Sequence, residues 1–185
     1  MEMFLKNKKA LSTVVTTLII LVVSILLATV VTYYAINVTS TRVEEESLFV
    51  TKQHVWYDTS TNSSKAAFII INTGGRDVVL DKITVRGQEC SWSSVYYNTT
   101  TNSINDDLSW ISGTPSSVTL DGTNYTLTQA TRDITLKSGY TMIVYIVNPD
   151  SISVNDIGLS VGINIFSAQA QYYNCLLYTS PSPRD

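Results

Sequence analysis

The first third of the chain carries one uninterrupted apolar segment. Between Lys9 and Arg42 no residue is charged, and the stretch from Val14 to Ile36 reads VVTTLIILVVSILLATVVTYYAI, about 23 residues. As an α-helix it would be about 35 Å long, enough to cross a hydrocarbon core of about 30 Å. Its many Val, Ile and Thr residues are weak helix formers in water, so burial must sustain it. The pattern predicts a membrane-competent helix over 11–47.

Beyond Leu48 the apolar period changes to that of strands. The segment Phe49–Tyr57 alternates loosely, and Ala66–Ile71 is a short continuous apolar run that Asn72-Thr73-Gly74-Gly75 stops. Further strands are predicted at 78–86, 134–136, 142–147 and 161–170. Short strands punctuated by Gly, Asn and Pro predict an antiparallel β-sandwich head over 48–174, large enough for one core. The fold class is therefore α+β.

A polar segment interrupts the predicted head. Residues 98–127 are rich in Asn, Thr, Ser and Asp and poor in apolar residues, so we expect a surface insert without a role in the core. Glycosylation sequons lie there at Asn98 and Asn124, and others begin at Asn37 and Asn62. Asn37 lies close to the predicted membrane segment. Four sequons in an exported protein predict glycosylation of exposed faces.

Three targeting signals could explain the N-terminus: a cleaved secretory signal, a permanent signal anchor, or a signal cut before its apolar core. Signal peptidase requires small residues at −3 and −1, but Leu26 precedes Ala28 and Tyr33 precedes Ala35 at these spacings. A lipoprotein signal requires a cysteine just after the core, and the first cysteine is Cys90. Neither cleavage by signal peptidase nor lipoprotein cleavage fits the sequence.

The junction itself, with Lys8, Lys9 and Ala10 before Leu11-Ser12-Thr13, resembles the class III signal of archaeal type IV pilins and archaellins. The resemblance implies that a prepilin peptidase removes residues 1–10 between Ala10 and Leu11 and leaves the apolar helix in the mature protein. Basic residues hold such a leader on the cytoplasmic side. At the fifth mature position, where many pilins carry glutamate, this chain has Val15.

The head is similar to archaellin-type domains in three short motifs. They are a strand–Asn72-Thr73-Gly74–strand unit, a Leu136-Lys-Ser-Gly139 turn before an apolar strand, and a last strand bearing Ala168-Gln169-Ala170-Gln171. With the leader and helix, the resemblance covers nearly all of residues 6–173.

This resemblance implies a structural subunit of an extracellular pilus-like filament, either an adhesion pilus or an archaellum, inserted in the membrane before assembly. Implied partners are copies of the chain itself, a prepilin peptidase, a cytoplasmic assembly ATPase and a membrane platform protein. The alternative is a signal-anchored monomeric surface domain that binds a sugar, a metal or an S-layer component through the insert. An uncleaved N-terminus would favour that alternative.

Small residues recur along one face of the predicted helix. Ser24, Ala28 and Thr32 follow each other at four-residue spacing, which places them in one row where a second helix could approach closely. Ser and Thr are also tolerated passengers in membrane helices. Both interpretations stay open at this point.

The last eleven residues, 175–185, resemble the translation of a sequencing adapter, and we expect them to be an artefact that replaces the native C-terminus. Without them, Cys90 is a lone cysteine, which predicts a small buried hydrophobe. The chain has 12 Lys and Arg against 15 Asp and Glu, which argues against a nucleic-acid partner.

Catalytic chemistry finds little support in the sequence. The one histidine, His54, lies in an aromatic strand with Trp56 and Tyr57, and no hydrolase, zinc-protease, redox or phosphate-loop motif occurs. Asp106 and Asp107 beside Asn105 could ligate a cation, but calcium sites use more oxygens, and solvation of a loop is the simpler interpretation. We expect a protein that is not an enzyme and needs no metal or cofactor.

Overall fold

The computed structural model describes residues 2–43, 45–156, 159–177 and 180–181. It divides the chain into two compact units, residues 1–43 and residues 44–185. The first unit is one helix, and the second is a β-rich head. This architecture confirms the coarse α+β expectation of an N-terminal apolar helix followed by antiparallel sheets.

Helix α1 runs over Glu2–Val43, 42 residues. It therefore continues upstream of the apolar segment and ends before the predicted limit at residue 47. Residues 45–47 are bonded to the head: the amide of Thr73 donates to the carbonyl of Ser47 (2.9 Å), and the amide of Gly75 donates to the carbonyl of Glu45 (3.3 Å). These bonds attach the segment after the helix to the turn between β2 and β3.

The head contains thirteen strands in the described residues. They are β1 Leu48–Asp58, β2 Ser63–Asn72, β3 Val78–Val85, β4 Gln88–Glu89, β5 Val95–Thr100, β6 Ser117–Leu120, β7 Thr123–Thr126, β8 Thr128–Gln129, β9 Ile134–Leu136, β10 Thr141–Val147, β11 Ser160–Ser167, β12 Gln171–Leu177 and β13 Ser180–Pro181. All six strands predicted from the sequence are present. Strands β12 and β13 enter the segment 175–185, whose side chains lie outside the described part.

The strands form two large sheets and a hairpin. Sheet A has the order β13-β1-β2-β10-β5-β8, sheet B has the order β12-β11-β3-β4 with β9 beside β3, and β6 pairs with β7. Every described pairing is antiparallel except β1 with β13. The inner faces of sheets A and B bury one shared apolar cluster, which makes the head a β-sandwich.

The inner core takes alternate residues from the central strands. Ala66, Phe68 and Ile70 of β2 and Met142, Val144 and Ile146 of β10 face the apolar residues of β3, β9 and β11. Their neighbours Ala67, Ile69, Ile143 and Tyr145 are equally buried, but on the opposite face of sheet A. A strand buried on both faces reads as a continuous apolar run, which is why these two strands were predictable.

A β-bulge accounts for the loose alternation of β1. Thr51 pairs with Ile69 and His54 pairs with Ala67, so Lys52 and Gln53 together oppose Phe68. Lys52 adopts a left-handed backbone, with φ of 53°. The extra residue reverses the phase of the strand, so Leu48 points into the inner core before the bulge and Val55 points into it afterwards.

A second apolar core lies on the outer face of sheet A, and the insert forms its cover. Leu108, Val118, Leu120, Tyr125 and Leu127 are buried against Trp56, Ile69 and Tyr145 of the sheet. The prediction that residues 98–127 contribute nothing to a core is therefore wrong. A few apolar residues of the insert are enough to form this second core, because the face of sheet A that they cover is itself apolar.

Candidate functional site

The predicted cleavage junction lies within the continuous helix α1. Its backbone is helical through Lys8, Lys9, Ala10 and Leu11, and Leu11 is exposed. The side chains of residues 8–10 lie outside the described part. Cleavage at this junction stays a prediction.

The helix from Leu11 to Ser40 is long and apolar enough to cross a membrane by length and composition, with a mean hydropathy of 2.9. Thirty residues of helix span about 45 Å, more than the hydrocarbon thickness of about 30 Å. All of these residues are exposed, and the large apolar ones lie on every side of the helix. The helix is thus suited to an apolar environment around its full circumference.

Five hydroxyl groups of this helix bond to carbonyls within it. Ser24 Oγ donates to the Ile20 carbonyl (2.7 Å), and Thr32 Oγ1 donates to the Ala28 carbonyl (2.7 Å). Thr16, Thr17 and Thr29 make equivalent bonds to carbonyls three or four residues earlier. These bonds remove most of the cost of placing a hydroxyl in an apolar environment.

A shallow groove surrounds the small side chain of Ala28. It is lined by Ile25, Ala28, Thr29, Thr32, Tyr33 and Ile36. Two members of the predicted packing row, Ala28 and Thr32, therefore line one concave surface, while Ser24 lies one turn before it. A neighbouring side chain could approach the helix backbone closely in this groove.

The three head motifs meet at one end of the sandwich, where the chain enters the head. Asn72 is buried, and its side-chain nitrogen donates to the carbonyls of Arg76 (2.8 Å) and Leu136 (3.1 Å). The backbone carbonyl of Asn72 accepts from the amide of Gly139 (3.0 Å), which belongs to the second motif. Arg76 also donates to Gln169 of the third motif (3.2 Å).

Glycine is required at position 74, where the Asn-Thr-Gly motif meets residues 45–47. A Cβ on Gly74 would lie 2.6 Å from the Glu45 carbonyl oxygen and 2.7 Å from the Ser47 amide nitrogen. Both are backbone atoms that cannot rotate away. The Asn-Thr-Gly motif therefore has a structural role here, which is to hold residues 45–47 against the turn between β2 and β3.

The sequons differ sharply in how they present their asparagines. Asn98 is half-buried, and its Nδ2, the atom that would carry a glycan, donates to the Thr126 carbonyl (2.7 Å). Asn124 is exposed on β7. Asn62 is exposed in a turn, where it accepts a hydrogen bond from the Tyr57 hydroxyl through Oδ1. Asn37 lies inside helix α1.

His54 forms a pair with the insert. Its Nε2 lies 2.8 Å from Asp107 Oδ1, and its ring stacks on Trp56 with a centroid distance of 5.0 Å. Partial burial alone would raise the pKa of Asp107. The hydrogen bond and electrostatic interaction with His54 oppose this effect, and the pKa of Asp107 lies below its usual value. The pair joins strand β1 to the insert.

The acidic residues of the insert bind backbone amides. Asp121 accepts from the amides of Asn105 (2.6 Å) and Asp106 (3.1 Å), while Asp106 accepts from the amide of Asp121 (2.6 Å). Asp107 Oδ1 likewise accepts from the amide of Leu108 (3.0 Å), in addition to its contact with the histidine. Among the described residues no group of three or more His, Cys, Asp or Glu side chains is arranged to hold a metal ion.

Two lysines that the sequence analysis did not single out fix the irregular part of the insert. Lys65 on β2 is only 1% exposed, and its Nζ donates to the carbonyls of Ile111 and Gly113 and lies 4.5 Å from the Trp110 ring centroid. Burial lowers the pKa of this ammonium, against an opposing effect of Asp58. Lys52, at the bulge, donates to the carbonyls of Ile104 (3.0 Å) and Asp106 (2.7 Å).

Cys90 lies in the inner core, as predicted for a small hydrophobe. Burial raises the pKa of its thiol to about 11. The reactive thiolate is therefore scarce at neutral pH, and the residue is unsuited to nucleophilic chemistry.

No known family profile matches the chain, and a search of curated proteins finds no significant match. The likeness to archaeal pilins and archaellins therefore depends on the residues of the N-terminal junction and the head motifs.

Proposed function

We propose that the protein is a structural subunit of an extracellular type IV pilus-like filament. A prepilin peptidase would remove residues 1–10, and the mature helix would leave the membrane to pack against helices of other copies. The observation that carries the proposal is the helix Leu11–Ser40, which is apolar on all sides and joined to a separate β-sandwich head.

The helix supports this function through its surface chemistry. Its exposed side chains need an apolar environment, which lipid supplies before assembly and neighbouring helices could supply afterwards. Because Ser24 and Thr32 bond to their own helix, they add little polarity to such an interface. Identical contacts repeated along an open screw axis generate a filament rather than a closed ring.

The alternative function is a permanently anchored surface domain. The same helix suits a lipid-embedded anchor, and the tightly fixed insert could form a binding surface on the head. The two functions differ at the junction, because an anchor keeps Lys8 and Lys9 whereas a filament subunit loses them.

Substitution of Ala28 tests helix packing directly. Ala28→Leu fills the groove at Thr32 and Tyr33 but leaves the helix at least as apolar, so membrane insertion should be unchanged while filament yield falls. Val30→Phe adds bulk on the opposite side of the helix and serves as the control. Filament yield is measured by electron microscopy and by pelleting of sheared surface material. Equal yields of the Ala28→Leu variant and the unmodified protein would contradict the proposed interface.

A further inference from the structure

The head carries a cleft at the edge of sheet A, outside the insert. It lies between the short 3₁₀ turn Trp92–Ser94 and the segment that follows β8, which are joined by a bond from the Ala130 amide to the Val95 carbonyl (2.8 Å). The cleft has a volume of about 480 Å³. Its lining residues are Ser91, Trp92, Ser93, Gln129, Ala130 and Thr131.

Trp92 supplies a fixed aromatic surface in this cleft. Part of the indole packs against the inner core, and the side chain remains half-exposed. Because the core already restricts the ring, a ligand that stacks on its exposed part would order little additional side chain. An aromatic ring that is both fixed and accessible is a common element of ligand sites.

Polar groups surround the indole. Ser91 Oγ and Ser93 Oγ are hydrogen-bonded to each other (2.8 Å), and Gln129 Nε2 donates to the Ser93 carbonyl. That bond fixes the Gln129 amide and leaves its carbonyl oxygen able to accept from a ligand. Thr131 is exposed and adds a further hydroxyl. The lining therefore offers donors and acceptors around an apolar centre formed by Trp92 and Ala130.

None of the six lining residues is charged. A phosphate, a carboxylate or a metal ion would therefore find no opposite charge in the lining, whereas a neutral ligand with one apolar face and several hydroxyls would match it. We propose that this cleft binds a neutral hexose unit of a surface polysaccharide, with the sugar's C–H face on Trp92 and its hydroxyls bonded to Gln129 and the neighbouring hydroxyl side chains. The site is independent of filament assembly.

The experiment uses the full chain in a detergent without a sugar headgroup. Glucose, galactose, mannose, N-acetylglucosamine and their disaccharides are titrated while tryptophan fluorescence and calorimetric heat are recorded. At least one sugar should bind saturably. Trp92→Leu should weaken that binding about tenfold, which is the scale of a lost aromatic contact, and Gln129→Ala should weaken it about fivefold through loss of a hydrogen bond.

Trp110→Leu is the matched control, since Trp110 lies at Lys65 on the other face of sheet A and should leave the affinity unchanged. Circular dichroism verifies that each variant is folded. If Trp92→Leu does not fold, the exposed pair Gln129→Ala and Thr131→Val decides the question. The proposal is wrong if no sugar in the panel binds saturably, if the cleft variants bind as well as the unmodified protein, or if Trp110→Leu has the larger effect.

Discussion

The second core under the insert makes a quantitative prediction for Leu120→Ala. Leu120 is 1% exposed and packs in the cluster formed by the insert and the outer face of sheet A. A buried leucine truncated to alanine costs about 2–5 kcal/mol, whereas a change on an exposed surface usually stays within about 0.5 kcal/mol. A whole domain has only about 5–15 kcal/mol of stability, so the expected loss is a large fraction of the total.

Thermal unfolding of the full chain in micelles can measure this loss in the head alone. All three tryptophans lie in the head, at positions 56, 92 and 110, so their fluorescence does not report on the helix. For a domain of this size the expected loss lowers Tm by roughly 7–18 °C. Leu136→Ala, in the inner core, should have a comparable effect.

Leu159→Ala provides the matched control, because it makes the same chemical change at an exposed leucine. Its Tm should stay within about 2 °C of that of the unmodified protein. If Leu120→Ala resembled Leu159→Ala rather than Leu136→Ala, the insert would not form a core, and the contacts described for it would be wrong.

Three further predictions address the head. Gly74→Ala should destabilise it by roughly 1–3 kcal/mol in the same unfolding assay, because the new Cβ meets backbone atoms of Glu45 and Ser47; an unchanged Tm would contradict the close approach. In a host that N-glycosylates, Asn124→Gln should remove a glycan by mass spectrometry and Asn98→Gln should not; a glycan on Asn98 would show that its bond to Thr126 is not maintained. Hydrogen bonds from Ser60 and Thr61 lower the pKa of Asp58 to about 2, so its contribution to stability is complete above the unfolded-state pKa near 3.9 and is lost as the pH falls towards 2. Asp58→Asn should therefore flatten the stability profile between pH 4 and pH 2, and an unaltered profile would exclude this role.

Strands were predictable from the sequence where apolar residues follow one another without interruption. The runs around Ala66–Ile71 and Met142–Val147 are buried on both faces, so they contain little polar sequence that could be mistaken for a loop. Strand β1 was harder, because its bulge at Lys52 changes which residues face inward. The change is visible in the sequence: the inward-facing residues are the even-numbered Leu48 and Val50 before the bulge and the odd-numbered Val55 and Tyr57 after it.

The insert was misjudged because its apolar residues are few, yet they follow a recognisable local pattern. Val118 and Leu120 alternate before Asp121-Gly122, and Tyr125 and Leu127 alternate after it. Both turn residues have positive φ, 48° for Asp121 and 74° for Gly122, as a two-residue hairpin requires. An Asp-Gly turn between alternating apolar residues would have predicted this hairpin.

The polar contacts of the insert could not be predicted in the same way. Lys65 donates to Ile111 and Gly113, more than 40 residues later in the chain, and nothing local in the sequence indicates those partners. Similarly, His54 approaches Asp107 only because the bulge at Lys52 and the path of the insert place both on the same side of sheet A. Such contacts depend on the register of distant segments rather than on local propensity.

The N-terminus of the mature surface protein tests the central proposal most directly. The chain is expressed with a prepilin peptidase in an archaeal host, material sheared from the cells is collected as filaments, and its N-terminal peptide is identified by mass spectrometry. The filament account predicts Leu11 as the first residue, with residues 1–10 removed. An intact Met1, or a start after Ala35, would contradict it, and an intact Met1 on protein retained in the membrane would favour the anchored surface domain.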